Sequence, residues 1–231
     1  MLDSADRVIM VSGASRGIGR AVVERLLASG FRVSAGVRAP RGLAGSERLL
    51  VQRYDAERVD SAEAWIAATV ERFGAIHGLV NAAGINPKAL LTDADEAPLD
   101  AMWLVNVKAP MRLIRLALPQ LKACGEGRVV NLSSMSGKRV RNVNVGYALT
   151  KFAMVALTHA VRREGWEQGV RATAVCPSFV ATDMTSDVTT WPRERMTQPA
   201  DMATLIETLL CLPNTATVAE LLVNCRLEDM L

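Results

Sequence analysis

Two kinds of segment alternate along the chain. Short apolar runs rich in valine and leucine are typical of strands that are buried on both faces of a sheet. Longer segments repeat apolar residues every three or four positions, which predicts amphipathic helices. The predicted strands are Val8–Ser12, Arg32–Val37, Leu49–Arg53, Gly78–Asn81, Arg128–Leu132, Val170–Val175 and Leu221–Cys225. The predicted helices are Gly17–Ser29, Ser61–Phe73, Leu99–Leu121, Tyr147–Glu164 and Ala200–Leu210.

The order of these segments predicts an α/β fold, a doubly wound parallel sheet of about seven strands with helices on both faces. One segment departs from the alternation, because Ala39–Arg48 contains Pro40, Gly42 and Gly45 and is therefore a poor candidate for a helix. No linker interrupts the sheet pattern, so residues 1–231 are interpreted as a single domain.

Composition narrows the class of protein. The chain has 231 residues, 50% of them hydrophobic, which is ample for a full core. No apolar run approaches a bilayer span and no secretion signal is recognisable, so a cytoplasmic protein without membrane partners is expected. The net charge is only +3 and the basic residues are dispersed, which argues against a nucleic-acid partner. No metal is expected, because His77 and His159 belong to no ligand constellation. Cysteines without metal spacing, expected to be reduced, are Cys124, Cys176, Cys211 and Cys225.

A glycine-rich segment, Ser12–Gly19, lies between the first predicted strand and the first predicted helix. Its glycines follow the spacing G-x-x-x-G-x-G. Glycine lets the backbone approach phosphate groups closely, and a helix N-terminus offers unbonded N–H groups and positive potential. A glycine motif alone is often only a turn, but the strand–turn–helix context predicts that this one binds a dinucleotide pyrophosphate.

A second motif pairs a phenol with an amine. Tyr147 and Lys151 stand four positions apart on a predicted helix, so their side chains share one face. Free tyrosine has a pKa of about 10, and a nearby cation lowers that pKa by favouring the phenolate. A tyrosine tuned in this way can act as a general acid or base near neutral pH. Ser134, on another element, can hydrogen-bond the oxygen that gains or loses the proton.

Together with the glycine turn, these residues belong to a series of motifs that resembles the short-chain dehydrogenase/reductase family over nearly the whole chain. Each motif is short, and the specificity lies in their order and spacing. NADP-dependent carbonyl reductases and 3-oxoacyl-carrier-protein reductases are the members it resembles, which implies a Rossmann-like fold. The matching residues are the glycine turn, Asp55, Asn81, Ala82, Ala83, Gly84, Asn106, Ser134, Tyr147, Lys151, Pro177 and Thr182.

The resemblance implies roles for four catalytic residues. Tyr147 would donate a proton to the carbonyl oxygen during reduction, or take it during oxidation. Lys151 would lower the pKa of Tyr147 and hydrogen-bond the nicotinamide ribose. Ser134 would orient the substrate oxygen and stabilise developing charge. Asn106 would hold, through its helix backbone, a water that connects Lys151 to solvent.

The resemblance also implies a set of cofactor-binding residues. Asp55 and the Ala56 backbone would hold the adenine, and Asn81 would brace the sheet near the cofactor. Val180 and Thr182 would contact the nicotinamide half. The full implied set is Gly13, Ser15, Arg16, Gly17, Ile18, Gly19, Arg38, Asp55, Ala56, Asn81, Ala82, Gly84, Tyr147, Lys151, Pro177, Val180 and Thr182.

The end of the second strand bears on which dinucleotide binds. Val37 stands where NAD-preferring relatives usually carry an acidic residue, and Arg38 follows it. A guanidinium pairs well with a 2′-phosphate, and Arg16 of the glycine turn is within reach of the same group. NADP(H) is therefore expected in preference to NAD(H), on the premise that no carboxylate stands nearby to repel the phosphate.

Two segments near the expected substrate pocket depart from the family or stay ambiguous. Ser178 follows Pro177 where the family usually has glycine, so a positive φ there would be strained. Residues 183–197 form a short substrate loop, which predicts a pocket that is open or completed by a neighbouring subunit. A basic stretch after Ser134 could meet an anionic substrate or form a solvated loop: Lys138, Arg139 and Arg141.

Three classes of function remain open. The leading hypothesis is an oxidoreductase that transfers a hydride between NADP(H) and a ketone or secondary alcohol, with Tyr147 as general acid and base. A narrower version is a 3-oxoacyl-carrier-protein reductase, for which Arg128 and Arg163 are weak candidates for a docking surface. A catalytically silent dinucleotide-binding sensor or scaffold, or a lyase on the same fold, usually lacks the tyrosine or the lysine. Apolar residues on several faces of the two long helices predict a homodimer or homotetramer.

Overall fold

A single sheet of seven parallel strands organises the computed structural model, which describes residues 1–40 and 42–228. The strand order is β3-β2-β1-β4-β5-β6-β7, so the predicted doubly wound parallel sheet is confirmed. The strands are β1 (Val8–Ser12), β2 (Arg32–Val37), β3 (Leu49–Arg53), β4 (Gly78–Asn81), β5 (Arg128–Leu132), β6 (Arg171–Pro177) and β7 (Glu220–Val223).

Helices cover both faces of this sheet. The long predicted helix at Leu99–Leu121 is present but not uniform, because a π-helical turn at Leu104–Lys108 separates its two α-helical parts. The helices are α1 (Gly17–Ala28), α2 (Val59–Phe73), α3 (Ala97–Trp103), α4 (Ala109–Ala123), α5 (Val145–Gly165) and α6 (Pro199–Cys211).

Two hydrophobic cores lie on opposite faces of the sheet. On one face α1 and α6 pack against the strands through residues such as Leu26 and Ile206, both fully buried. On the other face α2, α4 and α5 contribute Trp65, Leu113 and Val161. Burying apolar side chains on both faces is what the continuous apolar strands predict, and it fixes each helix relative to the strand ends.

The order in which strands are added to the sheet reverses at β1, because β2 and β3 lie on one side of it and β4 to β7 on the other. This strand pairs with β2 on one side and with β4 on the other, with Ser12 opposite both Gly36 and Asn81. The loops after β1 and β4 therefore leave the sheet in opposite directions and open a crevice at the carboxyl ends of the strands. Such a crevice is where open α/β sheets bind their ligands.

Two expectations about local structure, one at Ala39–Arg48 and one at Ser178, have opposite outcomes. The described part of Ala39–Arg48 forms turns and bends and no helix, as its glycines and proline indicate. The condition for strain at Ser178 is not met, because Asp6 is the one non-glycine residue with positive φ in the described ranges. Within those ranges, no helix combines the length and apolarity that crossing a membrane requires.

Candidate active site

The glycine turn after β1 is shaped by close backbone contacts. Gly13 has φ 69°, and a Cβ there would lie 2.7 Å from the Ala83 backbone nitrogen. A Cβ on Gly19 would collide with the Gly13 carbonyl oxygen, and Gly17 has φ 56°. Side chains are thus excluded at all three positions, and the bare backbone forms the floor of the crevice.

The N-terminus of α1 opens into the same crevice. Its capping residue, Arg16, makes no side-chain cap, and the first turn holds no acidic residue. The first amide groups of the helix are therefore available to an anion, and the helix dipole adds positive potential. This donor set suits the pyrophosphate of a dinucleotide.

A cleft of about 250 Å³ runs from this turn to the start of α5. It joins nearly all the residues that the resemblance singled out, although they come from seven separate segments of the chain. Two predicted residues, Asn81 and Asn106, do not line it and are buried behind its wall. The predicted residues that line the cleft are Gly13, Ser15, Arg16, Gly17, Ile18, Gly19, Arg38, Asp55, Ala56, Ala82, Gly84, Ser134, Tyr147, Lys151, Pro177, Val180 and Thr182.

Asn81, at the end of β4, ties neighbouring strands together. Its Nδ2 donates to Asn131 Oδ1 at 2.8 Å, and Asn131 in turn donates to Thr158 Oγ1 at 2.9 Å. The buried Oδ1 of Asn81 has no hydrogen-bond partner in the part of the chain that is described. One position on, the Ala82 and Ala83 amides donate to Ser12 Oγ, which binds the β4 loop to β1. These bonds stabilise the wall of the cleft from behind.

The phenol and the amine meet on the first turns of α5. The side chain of Asn144 caps this helix by accepting from the Tyr147 amide at 3.4 Å. Lys151 Nζ lies 5.4 Å from the centre of the Tyr147 ring and donates to the Leu132 carbonyl at 2.9 Å. Ser133, beside the predicted serine, donates to the Lys151 carbonyl at 2.8 Å and so anchors the helix to β5.

The electrostatics of this pair differ from the sequence-based prediction. Burial raises the pKa of Tyr147 to about 12, although a hydrogen bond from Ser134 opposes this. Burial also lowers the pKa of Lys151 to about 8. The expectation that the lysine lowers the tyrosine pKa is therefore wrong for this structure, because desolvation favours the neutral form of both groups. The phenol is therefore protonated at neutral pH.

Asn106 occupies the π-helical turn between α3 and α4. Its Oδ1 accepts from the Ile85 amide and its Nδ2 donates to the Ile85 carbonyl, both at 2.9 Å. The same Nδ2 lies 3.2 Å from the hydroxyl of Thr150, the residue before Lys151. One buried amide thus links the loop after β4 to the helix that carries the tyrosine and the lysine.

The other end of the cleft is exposed and charged. Val37 is buried, whereas Arg38 is exposed and makes no hydrogen bond or ion pair to any described residue. Arg16 Nη1 lies 3.0 Å from Asp183 Oδ2, and about two thirds of each side chain is exposed. The premise that no carboxylate stands near these arginines is therefore wrong, because Asp183 also lines the cleft.

The basic stretch after Ser134 pairs with acidic residues of this chain, so it is not simply a solvated loop. Lys138 pairs with Glu220 at 2.5 Å, while Arg139 and Arg141 both bind Glu228. Sequence reasoning missed these acidic partners, and it also missed Asp183, because each lies far along the chain from the cation it binds. Their only sequence signal is an acidic residue near a predicted strand or loop end.

Comparison with known proteins agrees with this geometry. The family model described as short chain dehydrogenase matches residues 7–193. Agropine synthesis reductase from Rhizobium rhizogenes is 44% identical over 229 residues, which cover 96% of this chain and 53% of that protein. The chain thus spans about half the length of that relative.

Solved structures are similar over almost their whole length. The short-chain dehydrogenase/reductase glucose/ribitol dehydrogenase from Brucella melitensis superposes with a TM-score of 0.89 at 30% identity, covering 98% of this chain and 99% of that one. A 3-ketoacyl-(acyl-carrier-protein) reductase from the same organism, solved with NADH, has a TM-score of 0.86 at 25% identity, with coverages of 96% and 98%. Since the family model matches most of the chain and the cleft carries the family's motifs, this protein belongs to the short-chain dehydrogenase/reductase family.

Proposed function

We propose that this protein is an NADP(H)-dependent reductase that acts on the carbonyl group of a small molecule, or oxidises the corresponding secondary alcohol. The observation that carries the proposal is the position of Tyr147, Lys151 and Ser134 in the same cleft as the glycine turn. A bound nicotinamide would supply or accept the hydride. The protein's own residues then have to orient the substrate and move one proton.

Tyr147 is the proton donor in the direction of reduction. Its raised pKa keeps the phenol protonated at neutral pH, which a general acid requires. Ser134 Oγ accepts from the Ser136 amide at 3.0 Å, so its own proton is left for the substrate oxygen or for the phenol. Lys151, charged below its pKa of about 8, stabilises the phenolate that forms when the proton has left.

The preference for NADP(H) rests on the exposed end of the cleft. Arg38 has no competing partner among the described residues, and Val37 offers no carboxylate to a ribose hydroxyl. Arg16 is shared with Asp183, so its contribution to a 2′-phosphate is smaller than that of Arg38. Asp55 and Ala56 line the cleft where the adenine would lie.

Asn106 acts as a positioning residue in this proposal. The π-helical turn and the bonds to Ile85 and Thr150 place it between the cofactor loop and α5. Loss of the amide would leave buried polar groups of both segments unpaired, which typically costs about 1–3 kcal/mol each.

A second candidate is a 3-oxoacyl-carrier-protein reductase, favoured by the likeness to the Brucella melitensis enzyme of that name. The basic docking surface that it requires is weaker than expected. Arg128 is only 2% exposed, and its guanidinium donates hydrogen bonds to the Leu212 and Gly127 carbonyls, so it is not a docking residue. Arg163 alone remains exposed. A silent sensor is disfavoured because Tyr147 and Lys151 are both present and both line the cleft.

Assembly into a homodimer or homotetramer is part of the proposal. Large apolar side chains are exposed on the outer faces of α4 and α5, among them Met111, Leu149 and Phe152. A second copy of the chain would cover them. A cytoplasmic location is proposed from the four free cysteines. Light scattering coupled to size-exclusion chromatography tests the assembly.

The function is tested by following the absorbance of the reduced nicotinamide. The purified protein is mixed with NADPH or NADH and a panel of ketones, oxo acids and 3-oxoacyl thioesters. Oxidation of NADPH that depends on a carbonyl compound is expected. Faster turnover with NADH overturns the cofactor assignment, and a protein that binds NADPH but reduces no carbonyl compound overturns the function.

A further inference from the structure

A buried carboxylate gathers three arginines beside the substrate end of the cleft. Glu228 is 4% exposed and contacts Arg139, Arg141 and Arg226, and we call these four residues the Glu228 cluster. The cluster is assembled from the loop after Ser134 and from the segment that follows β7.

The cluster holds more positive than negative charge. Arg139 binds Glu228 Oε2 through Nε at 3.2 Å and Nη2 at 2.6 Å, which neutralises the carboxylate. Arg141 reaches the same oxygen with one nitrogen only, at 3.0 Å. Arg226 Nε lies 3.6 Å from Oε1, too far for a hydrogen bond. Asp229 lies outside the described residues, so the surplus of two positive charges refers to the described residues alone.

Arg226 lies beside two aromatic rings and makes no hydrogen bond to a described residue. Its guanidinium lies 5.2 Å from the ring centre of Phe179 and 5.7 Å from that of Trp191. The indole is itself fixed, because its Nε1 donates to the Arg195 carbonyl at 3.0 Å. The buried Nε of Arg226 has no hydrogen-bond partner in residues 1–40 and 42–228. A guanidinium stacked on aromatic rings with unused donors is preorganised to bind an oxyanion.

The position of the cluster ties it to the reacting end of the cleft. The Cys225 amide, next to Arg226, donates to Ser178 Oγ at 2.9 Å, and Ser178 lines the cleft. The loop that carries Arg139 and Arg141 begins at Ser134, the proposed ligand of the substrate oxygen. The cluster lies outside the lining of the cleft, and its two segments are connected to the end of the cleft where Tyr147 lies rather than to the end where Arg38 lies.

We propose that the Glu228 cluster binds an anionic group, a carboxylate or a phosphate, on the carbonyl substrate, with Arg141 and Arg226 as the residues that contact it. This inference rests on the proposed reductase function and names the substrate class. An oxyanion beside the two arginines would take up their unused donors and reduce the repulsion among three guanidinium groups.

Matched substrate pairs separate this proposal from the function itself. NADPH oxidation is measured with oxo acids and their methyl esters, and with hydroxyketone phosphates and the unphosphorylated hydroxyketones. We expect kcat/KM to be at least about tenfold higher for the anionic member of one pair, since hydrogen bonds between charged groups are stronger than those to a neutral ester or hydroxyl. A preference within the oxo acid pair identifies a carboxylate, and a preference within the hydroxyketone phosphate pair identifies a phosphate.

Two variants assign the effect to the cluster. Arg226→Leu and, independently, the half-exposed Arg141→Gln should lower kcat/KM for the anionic substrate by about tenfold or more through KM, and leave that for its neutral partner within about twofold. Arg48→Gln is the matched control, because it removes an exposed arginine at the opposite end of the strands, before β3. Thermal melting shows that each variant is folded.

The contrary results are distinct. If the wild-type protein reduces neutral ketones at the same rate as their anionic partners, or prefers 3-oxoacyl thioesters, the anion site is overturned and the reductase function stays intact. Equal losses on both members of a pair in Arg226→Leu and Arg141→Gln show that the cluster only supports the fold. A protein that reduces neither member overturns both the function and the inference.

Discussion

The two ends of the cleft are built on different principles. At the reacting end Lys151 is 6% exposed and is held by the Leu132 carbonyl, and Asn144 caps the helix that carries Tyr147. At the ribose end Arg38 is exposed and bound to no described residue, and Arg16 is in an exposed ion pair. One end is fixed by buried hydrogen bonds, and the other depends on solvated side chains.

This difference separates the chemistry from the choice of cofactor. A buried group has its pKa set by desolvation, so a change there alters the reaction itself. An exposed arginine contributes through a few charge-assisted contacts that water and salt weaken. We therefore expect substitutions to have much larger effects at the reacting end than at the ribose end.

The sharpest test of the reacting end is Tyr147→Phe. Removing the phenol removes the proposed proton donor, and general acid catalysis contributes about a hundredfold to ten-thousandfold to a rate. We expect kcat to fall by about a thousandfold, while NADPH binding, measured by protein fluorescence quenching, stays nearly unchanged. A variant that keeps most of its turnover would show that another group donates the proton.

The charge of Lys151 gives the next largest effect. Burial lowers the pKa of this amine to about 8, so it is charged below that pH and neutral above it. We expect the reduction rate to fall as the pH rises through about 8, and Lys151→Met to be about a hundredfold slower at neutral pH and to lack this step. A wild-type rate that is flat between about pH 7 and about pH 9 contradicts the role of the charge.

At the ribose end, Arg38→Asp should change the cofactor rather than the chemistry. This substitution removes the guanidinium that would bind a 2′-phosphate and adds a carboxylate that repels it, so the ratio of kcat/KM for NADPH over NADH should fall by about tenfold to a hundredfold. Arg53→Gln is the control, because Arg53 pairs in register with Val37 but lies outside the cleft lining. An unchanged ratio in Arg38→Asp refutes the assignment.

The smallest effect is expected for Asp183→Asn. Both partners of the Arg16–Asp183 pair are mostly exposed, and such pairs typically contribute less than about 1 kcal/mol. Freeing Arg16 should tighten NADPH binding by at most about fivefold and leave NADH binding unchanged. Weaker NADPH binding would mean that Asp183 positions Arg16 instead of competing for it. Titration of both cofactors at low and high salt distinguishes the two.

Local patterns were sufficient for much of this molecule. The predicted bounds of β1 to β5 agree with the structure, because each is an apolar run between turn residues. The glycine turn was recognisable because only glycine fits positions such as Gly13 and Gly19. The π-helical turn at Leu104–Lys108 was not predicted, since a shift of the apolar pattern by one position is hard to recognise in a helix that carries apolar residues on several faces.

Features set by distant segments were beyond sequence reasoning. The pKa of Tyr147 depends on how much of its surroundings is protein, which the Tyr-x-x-x-Lys spacing does not contain. Arg16 meets a carboxylate 167 positions away, and Arg139 meets one 89 positions away. Such pairs form only when the sheet order brings two loops together.

The π-helical turn makes the position of Asn106 sensitive to the length of the chain. Deleting one residue from Leu104–Lys108 would restore ordinary α-helical winding, because a π-helical turn holds about one residue more than an α-helical turn, and α3 and α4 would keep their faces toward the sheet. The residues of the turn itself would shift, and Asn106 would lose its place beside the Ile85 peptide, to which its side chain is bonded. A missing codon there is consequently far more damaging than a substitution at the exposed Lys108.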